Sequence, residues 1–118
     1  MTRHLLYILA LILTLAACTP SPHDARQADE AAPMYPDYAD VTIPVNIAPL
    51  NFLLRDDVSR VCVYINNVEF VHQRGNEVVF DLEEWRTLLA ANKGKTLEVQ
   101  IVAEDADGWK AYKPFRWT

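Results

Sequence analysis

The chain has 118 residues, eleven Lys and Arg against sixteen Asp and Glu, a formal net charge of −5 and two cysteines. That length supports one modest core, the acidic balance argues against nucleic-acid binding, which needs a basic footprint, and two cysteines allow one disulfide at most, none if one of them is consumed by another modification.

The amino terminus reads MTRHLLYILALILTLAAC, with Arg3 and His4 before an apolar run from Leu5 to Leu13 and small residues leading to Cys18. A stable membrane-spanning helix needs about 20 apolar residues, so residues 1–17 are expected to be a secretory signal. Leu15-Ala16-Ala17-Cys18 resembles the bacterial lipobox, in which cleavage exposes a cysteine that carries acyl chains. Lipidation at Cys18 implies a membrane-anchored lipoprotein of the cell envelope, with the outer membrane favoured over the inner. Each buried methylene contributes about 0.8 kcal/mol, so several chains on one cysteine anchor firmly. Losing Arg3 with the signal leaves ten basic against sixteen acidic side chains, or −6, and attachment must rest on the acyl chains rather than on anionic lipid.

Residues 18–40 carry four of the seven prolines and few bulky aliphatics, the composition of a flexible tether. A coil of this length spans on the order of 25 Å root-mean-square. The folded domain is expected to occupy residues 41–118.

Within that domain, short β-patterned segments alternate with turn residues. Val41 to Ile47 and Leu50 to Leu54 flank Pro49; because Pro44 and Pro49 cannot donate ladder hydrogen bonds, this segment is expected to enter at an edge and cross between sheets. Arg60 to Ile65 and Val68 to His72 flank Asn66-Asn67, a two-residue hairpin signal. Glu77 to Phe80 follows a turn at Gly75. In DLEEWRTLLAANKGK, Asp81 can cap a helix with Glu84 at its third position, Trp85, Leu88 and Leu89 share a face, and Gly94 can terminate it. Thr96 to Glu104 and Trp109 to Trp117 flank Asp105-Ala106-Asp107-Gly108, a hairpin turn. Val61 to Ile65 is apolar on both faces and should be central, while Leu97, Val99, Ile101 and Ala103 alternate with more polar positions. The expected fold is mainly β: a small β-sandwich, immunoglobulin-like in the loose sense, with one short helix.

Chemistry is sparse. If Asp105 and Asp107 were positions three and five of a calcium loop, Ala103 and Pro114 would fall at positions that must ligate. Cys62 and His72 are separated in sequence and His23 lies in the tether, so no metal site is expected; Cys62 is expected to be buried and inert, and His72 to sit at a solvent edge. Neither Asp56-Asp57 nor Glu83-Glu84 makes an acid/base pair, since adjacent carboxylates point apart in a strand or helix. There is no nucleophile elbow, phosphate-cradling loop or C-x-x-C-H, and no enzyme activity or cofactor is expected. Trp109, Tyr112 and Trp117 on the last strand are the candidate ligand or partner surface, since exposed aromatics stack on sugars and meet proteins.

YPDYADVTIPVNIAPLNFLL, DLEEWRTLLAANKGKTLEVQI and the ending DGWKAYKPFRW resemble the amino-terminal region of large lipoproteins from Bacteroidetes. Those proteins continue into a cytochrome-c-like C-x-x-C-H segment and a TolB-like β-propeller. The resemblance implies the envelope location and the amino-terminal module. Haem and propeller functions do not carry over, because the residues that would hold them are absent from these 118, and the chain is expected to be a truncated form or a fragment. Two functions follow as expectations: a non-catalytic, lipid-anchored module that meets an envelope protein or its own partner domains, and, as the alternative, a surface glycan-binding module.

Overall fold

A computed structural model describes residues 24–118. The signal segment and Cys18 lie outside the described residues.

The protein is a small β-sandwich with one short helix. Among the described residues nine strands run β1 (Arg26–Ala31), β2 (Met34–Tyr35), β3 (Phe52–Leu54), β4 (Arg60–Ile65), β5 (Val68–Arg74), β6 (Glu77–Val78), β7 (Leu97–Asp105), β8 (Gly108–Lys113) and β9 (Phe115–Trp117), with helix α1 (Leu82–Ala91) between β6 and β7. One sheet has the order β1-β8-β7-β4-β5, with β9 also paired to β7; the other has the order β2-β3-β6.

β4 is central, antiparallel to β7 on one side and β5 on the other. Its alternation divides the molecule. Val61, Val63 and Ile65 join Val99, Ile101 and Trp117 in the main core against Phe52, Leu54 and Val78 of the small sheet and Trp85, Leu88 and Leu89 of α1. Cys62 belongs to a second, smaller cluster with Val102, Trp109 and Ala111. Because directly paired residues share a face, the register Ala111–Val102–Cys62–His72 is one row across the outer face of the large sheet.

Local chemistry explains the joints. Asn66 (φ 51°) and Asn67 (φ 65°) both occupy the left-handed region and close the β4–β5 hairpin, a conformation asparagine tolerates. The Asp81 carboxylate accepts the Glu84 N–H at 3.0 Å and caps α1. The helix ends earlier than the Gly94 signal suggests: the Asn92 N–H meets the Leu88 and Leu89 carbonyls, and its side-chain amide also donates to Leu88. Gly94 serves the turn that follows.

Three expectations are corrected. The stretch expected to be a tether up to Asp40 contains two strands, β1 and β2, and the folded unit begins well before residue 41. β1 escapes sequence patterning because it is a polar edge strand, parallel to β8, whose ladder is made by backbone groups. Ion pairs between Arg26 and Asp105 at 2.8 Å and between Lys110 and Glu30 at 2.8 Å fasten it, and Met34 is buried. Second, Val41 to Ile47 is not a strand: Val41 and Ile43 exchange backbone hydrogen bonds with Thr118, and Val41, Ile43 and Ile47 pack partly buried against the core. Third, the single strand expected from Trp109 to Trp117 is split at Pro114, which has no N–H to give, into β8 beside the carboxyl half of β7 and β9 beside its amino half. Among the described residues no helix is long and apolar enough to cross a membrane.

Candidate functional site

The aromatic residues proposed as an exposed surface are core. Trp117 is fully buried, its indole N–H donates to the Tyr38 carbonyl at 2.9 Å, and its ring packs edge-on against Trp85 and Phe80. Tyr112 is buried in the main core and Trp109 in the outer-face cluster. No stacking platform of Trp109, Tyr112 and Trp117 is formed, because a domain of this size needs its largest apolar side chains to fill the space between its layers.

Tyr112 instead anchors a polar network that no motif announced. Its hydroxyl donates a hydrogen bond to the Asp56 carboxylate, and Lys110 Nζ lies 3.2 Å from Asp56 and 2.8 Å from Glu30. The Tyr112 hydrogen bond, with help from Lys110, holds Asp56 below its ordinary carboxylate value. The bond to Glu30 raises the Lys110 ammonium pKa, and burial raises that of the Tyr112 phenol. All three effects keep the groups in the charge states that hold them together. The network joins the β3–β4 loop, β8 and β1, which makes it a clasp.

A third feature lies on the outer face. β5 carries a bulge opposite the Val63/Tyr64 step: Val63 pairs with Val71, and Tyr64 pairs with Glu69, leaving Phe70 over. Strand residues three apart normally face opposite sides. The extra residue turns Glu69 onto the face of His72 and Cys62, and His72 Nδ1 lies 3.0 Å from Glu69 Oε1. Donor atoms of Cys62, Glu69 and His72 all fall within 4.8 Å of one another. The Trp109 ring stands edge-on to His72 with centroids 6.0 Å apart. Cys62 is fully buried, as expected, and burial pushes its thiol up to about 12. His72 is exposed, also as expected, yet it is not isolated.

Finally, an open groove of about 700 Å³ runs between β5 and α1. Phe70, Leu88 and Ala91 supply its apolar floor, and Asp81, Glu83 and Glu84 its acidic rim; among the described residues no basic side chain lines it.

No protein-family model, curated protein or solved structure matches this chain.

Proposed function

We propose that the protein is a non-catalytic, lipid-anchored module of the cell envelope that docks a partner protein through the groove between β5 and α1. The observation that carries this reading is the pairing of an apolar floor with a rim of one charge sign, Asp81, Glu83 and Glu84. The occupant that fits is a basic amphipathic segment of another envelope protein: its apolar side covers Phe70 and Leu88, and its Lys or Arg residues meet the rim. Cys18 supplies the membrane attachment, and the Bacteroidetes lipoprotein resemblance supports the same location. The glycan-binding alternative loses the residues that motivated it, since Trp109 and Trp117 are buried.

A photo-crosslinking residue at the exposed groove position Thr87, used in intact envelopes, tests the docking. The expected result is an adduct whose partner peptide is rich in Lys or Arg, lost when Glu83 and Glu84 are both changed to Lys and absent when the crosslinker sits at Glu98. No adduct, or one indifferent to the charge reversal, overturns the docking surface. Separately, Cys18→Ser should release the protein from the membrane fraction and abolish incorporation of labelled fatty acid; retention with undiminished label would refute the anchor.

A further inference from the structure

We infer that Cys62, Glu69 and His72 form a binding site for a thiophilic divalent cation of the zinc class on the outer face of the large sheet. Three observations carry this. The donor set is mixed, with one sulfur, one imidazole nitrogen and one carboxylate oxygen, the combination borderline-soft cations take. The donors are gathered by a specific backbone device: Cys62 and His72 are direct cross-strand partners, and the β5 bulge brings Glu69 round to join them. The charges balance, since a divalent ion bound by one thiolate, one carboxylate and one neutral imidazole is neutral where Cys62 is shut away from water.

The geometry is within reach. Ligand atoms on a tetrahedral zinc lie roughly 3 to 4 Å apart. The Glu69–His72 pair already stands at 3.0 Å, and with all three donors within 4.8 Å the remaining closure is a side-chain adjustment of roughly 1 Å. Glu69 and His72 are exposed and can swing outward to admit the ion, whereas Cys62 stands on the central strand and sets its depth. Binding exchanges the Glu69–His72 hydrogen bond for two metal bonds: the His72 ring passes by proton exchange with solvent to the neutral form that carries its proton on Nε2 and frees Nδ1 to ligate, and the Cys62 thiol proton leaves to solvent as its sulfur becomes a ligand. Water takes the fourth position. Trp109, edge-on to His72, reports the event through its fluorescence.

The test is a titration of the full chain, reduced and in detergent, with Co²⁺ as a spectroscopic probe, followed by competition with Zn²⁺. One equivalent of Co²⁺ should produce thiolate-to-metal charge-transfer absorption that Zn²⁺ removes. The absorption should persist in Cys18→Ser and vanish in Cys62→Ala and His72→Ala, and Glu69→Gln should weaken binding by about tenfold or more. Because His72 and Glu69 are exposed, their variants should keep the wild-type urea midpoint, which separates loss of the site from loss of the fold. Absence of the band in the wild-type chain overturns the site. So does a band that survives Cys62→Ala or His72→Ala, or one that disappears in Cys18→Ser.

Discussion

At the residue scale, side chains that read as ordinary in sequence hold the structure through partners distant along the chain. Asp56 sits in a turn beside another aspartate, yet its carboxylate receives the Tyr112 hydroxyl and the Lys110 ammonium. Tyr112→Phe removes that donor and leaves the carboxylate with Lys110 and the Asp57 backbone N–H; stability should fall by about 1 to 2 kcal/mol in urea unfolding. The same groups set the pH dependence. Asp56 is held below its ordinary value of 3.8, so its stabilisation is present above that value and is lost as pH falls through the folded one. Cys62 and Tyr112 are raised, so their contribution is complete below their ordinary values of 9.0 and 10.0 and is lost as pH rises beyond them. Urea midpoints measured across pH should therefore show a plateau between about pH 5 and 8 with a decline on both sides. The Cys62 thiol should react with bulky aqueous thiol reagents far more slowly in the native protein than in urea, because such reagents need a wider opening than the outward swing of Glu69 and His72 that admits an ion.

At the element scale, the helix and the edge strands show where local signals suffice and where they do not. α1 was legible because its cap and its apolar face are both local: Asp81 and Glu84 are three residues apart, and Trp85, Leu88 and Leu89 recur at the helical period. Asp81→Ala should cost about 1 kcal/mol, read from the thermal midpoint. β1 was not legible, because an exposed strand held by backbone bonds and ion pairs needs no hydrophobic alternation. Its amides should exchange with solvent faster than those of β4, with Arg26→Ala and Glu30→Ala accelerating β1 alone; uniform protection across both strands would count against its role as a separable edge. The β5 bulge was equally hidden, since Glu69 and His72 face opposite sides of a regular strand and only the pairing with β4 reveals the extra residue.

At the scale of the whole molecule, two faces of one sheet carry different tasks. The inner face of the large sheet closes on the small sheet and α1 around Trp85, Trp117 and Phe80, whose rings pack with centroids 5.0 to 6.1 Å apart. Trp85 also donates to the Ile47 carbonyl at 3.0 Å, so it ties the helix to the irregular segment that precedes β3. Trp85→Ala should cost about 3 to 5 kcal/mol, comparable to the whole stability of a domain this small, and should leave a chain without a cooperative unfolding transition. The outer face, sealed by Cys62, Val102, Trp109 and Ala111, is thin enough for a buried thiol to lie next to exposed donors.

By itself the sequence determined the class of the fold: period-two apolar segments, the Asn66-Asn67 and Asp105 to Gly108 turns, and one capped amphipathic stretch all follow from interactions among near neighbours, which a linear reading captures. The tertiary structure decided which aromatics are core, where the folded unit begins, and which polar groups meet. Trp109, Tyr112 and Trp117 look alike in sequence whether buried or exposed, and only the packing of two layers sends them inward. The Asp56–Tyr112–Lys110 clasp and the Cys62–Glu69–His72 triad depend on strand register and on one bulged residue, and register is a property of paired strands rather than of either strand alone.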